Sequence, residues 1–189
     1  ARSPPVGRPG DGAGMRVLVG VCGGIAAYKT CEVVRRLRDG AHEVQVVMTE
    51  AATRFVTPMT FEVLSGRPVA SSLFATGDPS IEHIRLARWP DVIAIVPATA
   101  HTIGRIANGL AEDLLSTVVM ASRADVPVVI APAMNTAMWE NPLVRRNLTV
   151  LEQVDGGRRY RFVQPAENTL ACGEAGIGAL AEEPRIVAA

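Results

Sequence analysis

The sequence predicts an α/β protein built on an open parallel sheet with helices on both faces. Three observations carry this. Short, nearly continuous apolar runs alternate with segments of helical spacing, each run stops at small or hydroxyl-bearing residues, and the alternation persists over about 130 residues. Arg16–Cys22 is a β-branched run that ends at Gly23-Gly24. Ile25, Tyr28, Val33, Val34 and Leu37 then fall close to one helical face until Gly40 stops the pattern. Glu43–Met48 reads as a second strand, Asp91–Pro97 as a third and Val126–Ala131 as a fourth. Ile103–Gly109 and Leu114–Arg123 have helical spacing, and Tyr160–Val163 reads as a last strand. Gln164–Gly178, with Pro165, Gly173, Gly176 and Gly178, reads as a long loop of the kind that forms a flap over a site. Right-handed crossovers would gather the strand ends, and the ligand with them, on one rim.

The chain has 189 residues, 48% of them apolar, enough for the core of one domain and too many for a disordered tail. Residues 15–189 are therefore expected to form a single domain, and residues 1–14, rich in Pro, Gly and Arg, a disordered leader or an expression remnant. Basic and acidic residues balance at 19 each, so neither nucleic acid nor an anionic membrane is an expected partner. No run approaches the roughly 18 apolar residues of a membrane-spanning helix. Three cysteines without a Cys-x-x-Cys pair, and three histidines, predict a reducing cytoplasmic setting and no metal site.

Candidate functional residues cluster after the strands. Gly23, Gly24 and Ile25 form a glycine turn that feeds a helix and offers backbone amides to an anion, although without Gly-x-Gly-x-x-Gly spacing. Thr49, Thr99 and Thr102 add hydroxyls suited to a phosphate or polyol, although each taken by itself reads first as a helix N-cap. His83 is either a surface histidine of a helix or a base. Arg88 either holds a carboxylate or caps a helix end, and Trp89 reads as packing. Cys172, followed by Gly173, Gly176 and Gly178 in the flap, tilts towards chemistry, whereas Cys22 and Cys31 read as small core residues.

The run Pro132-Ala-Met-Asn-Thr-Ala-Met-Trp139 resembles the Pro-x-Met-Asn-x-x-Met-Trp signature of the homo-oligomeric flavin-containing cysteine decarboxylases. Gly23-Gly24-Ile25-Ala-Ala-Tyr-Lys29, Phe61–Gly66, His83-Ile84, Pro97–Thr102, Asp113–Thr117 and Ala171-Cys-Gly173 are similar in order, from about Met15 to Pro184. The resemblance implies a flavodoxin-like Rossmann fold, FMN at a subunit interface, and trimers or dodecamers. It makes His83 the catalytic base and Cys172 a proton donor. Asn135, Met134, Met138, Trp139, Arg88, Leu170 and Ala171 become substrate residues, and Gly23, Gly24, Ile25, Thr49, Thr99, Ala100, His101, Thr102 and Ala133 line FMN.

Family chemistry has a simple rationale. A cysteine carboxylate has no adjacent electron sink, so two-electron oxidation at Cβ, a flavin's task, first creates a thioaldehyde that can accept the electrons of the departing CO2. Two branches differ in substrate. Phosphopantothenoylcysteine decarboxylases of coenzyme A synthesis use a flap cysteine, as Cys172 would be. Lantibiotic-type enzymes act on a precursor peptide ending in cysteine and generally lack it. Against the first branch, His101 replaces the Asn of the family's Pro-Ala-Ser-Ala-Asn-Thr motif. Eighteen arginines beside the single Lys29 suggest a GC-rich genome. In GC-rich actinobacteria the coenzyme A decarboxylase is usually fused to its synthetase, for which this chain has no room. The expected function is therefore peptidyl-cysteine decarboxylation to an enethiol, with phosphopantothenoylcysteine decarboxylation as the alternative and an inactive regulatory flavoprotein as a third reading.

Overall fold

The computed structural model describes residues 14–73, 79–169 and 175–189. Strand β1 (Arg16–Val21) leads into a 3-10 turn (Ile25–Lys29) and α1 (Thr30–Asp39); β2 (Glu43–Met48) leads into a second 3-10 turn (Glu50–Arg54) and α2 (Pro58–Ser65). Next come α3 (Pro79–Arg88), β3 (Val92–Ala98), α4 (Ala100–Ala107), α5 (Leu114–Ala121) and β4 (Val128–Pro132). The chain continues through α6 (Thr136–Glu140), α7 (Pro142–Gln153), β5 (Tyr160–Phe162), β6 (Ala166–Thr169), β7 (Ala175–Ala179) and α8 (Glu183–Val187).

Five parallel strands pair in the order β2-β1-β3-β4-β5, the flavodoxin-like order. Because β2 and β3 flank β1 on opposite sides, the connections diverge there and open a crevice at the carboxyl ends of β1 and β3. Period-two alternation divides the core. Val17, Val19, Val21, Val44, Val46, Ala94, Val96 and Val129 point to one face, where they meet Val33, Val34 and Leu37 of α1, Phe61 of α2 and Ile186 of α8. Leu18, Ile93, Ile95, Val128 and Ile130 point to the other, where they meet Ile103, Ile106, Leu115, Val118 and Leu151. With both faces covered, the strands can carry the continuous apolar runs by which they are recognisable.

Two expectations need correction. Ile25 and Tyr28 do not continue the buried face of α1; they are 61% and 58% exposed. They belong to the 3-10 turn, whose three residues per turn put its side chains out of phase with the 3.6-residue helix that follows. Within the stretch predicted as a loop, β6 and β7 pair antiparallel, with Glu167 opposite Ile177 and Asn168 opposite Gly176. Neither strand holds the β-branched or aromatic run that marks a strand in sequence, so backbone pairing defines them. Helices α2, α6, α7 and α8 are additional to the predicted elements. Among the described residues no helix is long and apolar enough to cross a membrane.

Candidate functional site

The carboxyl ends of the first four strands enclose a cavity of about 1130 Å3. Gly23, Gly24 and Ile25 enter it after β1, Thr49 after β2, Thr99, Ala100, His101 and Thr102 after β3, and Ala133, Met134, Asn135 and Met138 after β4. Gly178, Ala179 and Leu180 close a further side. The twelve predicted residues named in the first of these lists thus come from four separate stretches of chain to one rim.

Local chemistry explains why these loops hold their shape. Thr49 caps the second 3-10 turn, its Oγ1 accepting from the Ala52 N–H at 3.2 Å. Thr99 caps α4, accepting from the Thr102 N–H at 3.4 Å while its hydroxyl donates to Thr102 Oγ1 at 3.3 Å. Asn135 caps α6, its Oδ1 accepting from the Met138 N–H at 3.0 Å. The capping and the site readings of these residues are therefore compatible: each caps a turn and faces the cavity. The turn after β1 differs. Its N-cap, Gly24, is extended and supplies no side-chain cap, and no acidic residue stands in the first turn.

The cavity wall also holds charged groups that sequence reasoning missed: Lys29, Glu50, Arg54, Arg105, Glu112 and Asp113. Arg105 is committed to two carboxylates, Asp113 at 2.7 Å and Glu112 at 3.1 Å. Asp113 was visible only as part of a motif, and the spacing of Arg105 one turn after His101 on a helix was the available signal. Cys22, immediately before the glycine turn, is fully buried; burial pushes its thiol up to about 11, against a smaller lowering from its hydrogen bond with Thr102.

Other predicted site residues lie elsewhere. Trp139 is 8% exposed and belongs to the core, with the Arg145 guanidinium 4.9 Å from its ring centroid, because α6 turns its indole towards the sheet. His83, half-buried, and Arg88, exposed, are carried on α3 and do not line this cavity. Leu170, Ala171 and Cys172 lie outside the described residues. No cluster of metal-ligating side chains occurs among the described residues.

The residues present suit a phosphate-bearing planar cofactor. An uncapped helical turn at Gly24 leaves backbone N–H groups for an anion, three threonines at two strand ends offer hydroxyls, and Ile25, Ala100, Ala133 and Met134 supply apolar surface. Residues 8–189 match the family model described as Flavoprotein. The chain belongs to the Flavoprotein family. Among its relatives, the coenzyme A biosynthesis bifunctional protein CoaBC of Bacillus subtilis is 48% identical over 172 residues, which are 90% of this chain and 41% of that protein. The chain thus spans less than half the length of that bifunctional relative. A probable phosphopantothenoylcysteine decarboxylase of Streptococcus mutans is 39% identical over 173 residues, 91% of this chain and 94% of that protein.

Solved structures agree on the fold of this flavoprotein. A PPC decarboxylase variant in complex with pantothenoylaminoethenethiol superimposes with a TM-score of 0.77 at 33% identity, covering 93% of this chain and 95% of the other. The FMN-dependent cysteine decarboxylase SpaF gives 0.76 at 32%, covering 93% and 97%. The peptidyl-cysteine decarboxylase EpiD gives 0.74 at 20% identity, covering 92% and 96%, a likeness of fold alone. The flavin-containing cysteine decarboxylases are thus the branch to which this chain is related, and FMN is its cofactor.

Proposed function

We propose that this flavoprotein decarboxylates 4'-phosphopantothenoylcysteine in coenzyme A biosynthesis. The observation that carries this reading is the match to the Streptococcus mutans protein along 94% of that protein's length, together with the 48% identity to the Bacillus subtilis bifunctional protein. This reverses the order of the two substrates expected from sequence. The argument from chain length falls, because the matched stretch is 41% of a bifunctional protein. His101 remains, exposed in the cavity wall, as the departure that first favoured a peptide.

Bound FMN would supply a two-electron acceptor for the oxidation and, once reduced, the donor that returns both electrons to the ene-thiol, so that the net change is loss of CO2 alone. Gly23, Gly24, Ile25, Thr49, Thr99, Ala100, His101, Thr102 and Ala133 are the residues we assign to holding it. The Asn135 carboxamide, already fixed through Oδ1, is assigned to the substrate carboxylate, and the thioethers of Met134 and Met138 to the walls around its cysteine side chain. His83 takes the thiol proton as the neighbouring carbon is oxidised. Since His83 does not line its own chain's cavity, we assign it to that of a neighbouring copy in a homo-oligomer. Large apolar side chains support such an assembly: Ile25, Tyr28, Met59 and Val63 are 61%, 58%, 71% and 78% exposed. Cys172 is assigned to returning a proton to the ene-thiolate after CO2 leaves. The Arg88 guanidinium, Leu170 and Ala171 complete the proposed substrate contacts.

Mass spectrometry of incubations with FMN tests the reading. Phosphopantothenoylcysteine should lose about 44 Da, the mass of CO2, with no net oxidation. Loss of about 46 Da from a peptide ending in cysteine, with phosphopantothenoylcysteine untouched, would restore the peptide reading.

A further inference from the structure

Strand β7 has two partners. One edge pairs with β6, and the other side lies against Met134, Asn135 and Thr136, which begin the predicted substrate motif. The Met134 N–H donates to the Gly178 carbonyl at 2.9 Å. A Cβ on Gly178, whose φ is +143°, would stand 2.2 Å from the Met134 carbonyl oxygen. A Cβ on Gly176 would stand 2.3 Å from Thr136 Oγ1. The two contacts run in antiparallel register: Gly178 meets Met134 and Gly176 meets Thr136, with Ile177 and Asn135 between them. Thr136 Oγ1 is buried there without a hydrogen-bond partner among the described residues, a cost that this approach imposes and does not repay by bonding.

We propose that Gly176 and Gly178 form a latch that sets the position of Asn135 and so tunes the cavity for substrate; both are positioning residues. Gly178 and Asn135 line the same cavity. A side chain at Gly178 must push β7 off the main chain of the motif, one at Gly176 must displace either β7 or the Thr136 side chain, and Asn135, whose Oδ1 starts α6, cannot move without carrying Met138 with it. Of the residues assigned to FMN only Ala133 adjoins the motif, and its N–H is tied to the Ala98 carbonyl at 3.0 Å; the others lie on the stretches after β1, β2 and β3, so the latch should act on substrate more than on FMN.

The kinetic half of this inference rests on the substrate proposed above; the structural half does not. Amide hydrogen exchange at Met134 in the full chain reads the latch, and steady-state kinetics with phosphopantothenoylcysteine reads its effect. Gly176→Ala should speed Met134 exchange about tenfold or more and raise KM about tenfold, with kcat and FMN affinity within about twofold of the parent. Adding Thr136→Ala removes the clashing hydroxyl, leaves Thr136 Cβ at 3.3 Å as the nearest side-chain atom, and should restore both readings. Gly178→Ala, which meets main chain, should resist the same rescue. Should Gly178→Ala not fold, the Gly176 pair decides alone. Parent-like exchange and KM in Gly176→Ala, or a lowered melting temperature with unchanged KM, overturns the proposal. If the parent protein does not turn over phosphopantothenoylcysteine while the exchange pattern holds, the substrate reading falls and the latch stands.

Discussion

Arg105 and Asp113 are joined at 2.7 Å in the wall of the cavity. The same aspartate opens α5: its Oδ1 accepts from the Ser116 N–H at 2.7 Å, and the Ser116 hydroxyl accepts from the Asp113 N–H at 3.3 Å, a reciprocal capping box. Asp113→Ala removes the cap and the main partner of a mostly buried guanidinium together, and should destabilise the protein by about 1–3 kcal/mol in urea unfolding. Asp113→Asn keeps a capping oxygen and should cost about half as much.

Arg16 and Asp91 fasten the start of β1 to the start of β3. Asp91 accepts from the Arg16 N–H at 2.9 Å, from Nε at 3.2 Å and from Nη2 at 2.7 Å. These bonds hold its carboxyl below the ordinary range, the Arg16 side chain being the largest cause, with burial opposing it. A carboxyl depressed on folding stabilises the native state above its unfolded value of about 3.9, and this contribution disappears as pH falls through the folded value. Asp91→Asn should therefore cost about 1 kcal/mol near pH 7 and progressively less below about pH 4. Urea unfolding of both proteins across that range checks it; a difference constant with pH would show that the carboxylate charge is not the cause.

The parts of this fold that were legible in sequence are those in which local pattern and burial agree. β2 runs over Glu43–Met48 as predicted, since five consecutive buried residues follow Glu43. The predicted fourth strand, Val126–Ala131, is displaced to Val128–Pro132 because Pro127 gives up only a carbonyl to Ile93, and pairing proper begins after it. α7 could have been found: Asn141 followed by Pro142 is a cap with proline at the first turn, and Leu148 and Leu151 form its buried stripe. β6 and β7 could not: Ala166–Thr169 holds no apolar alternation, and in β7 Gly176 and Gly178 record a close approach to Thr136 and Met134 rather than a strand propensity. The glycine and threonine rim was legible through the strand-end rule. Lys29, Arg54 and Arg105 were not, since a charged residue at helical spacing reads equally as solvated surface.

Cys22 is placed to be inert. With its thiol pushed up to about 11 by complete burial, only about one part in a thousand is thiolate at pH 8. Iodoacetamide at that pH should leave Cys22 unmodified in the folded protein and modify it fully in urea. Cys31 is half-buried, with its thiol also raised, and should react at an intermediate rate. Peptide mapping after timed quenching measures each site, and rapid folded-state labelling of Cys22 would show that the floor beneath the glycine turn opens.

Asn135 combines two roles that one substitution separates. As N-cap of α6 it needs only an oxygen that accepts from the Met138 N–H, and aspartate supplies one as well as asparagine does. As the proposed contact for a substrate carboxylate it needs an N–H donor, and aspartate replaces that donor with a second negative charge. Asn135→Asp should therefore keep its melting temperature within about 2 °C, since surface-cap exchange is nearly neutral, yet lose about a hundredfold or more in kcat/KM on phosphopantothenoylcysteine. Asn135→Ala should lose activity and about 1 kcal/mol of stability together. Kinetics beside thermal unfolding separates these outcomes. Full activity in Asn135→Asp would remove the carboxylate from this residue and leave Asn135 as a cap alone.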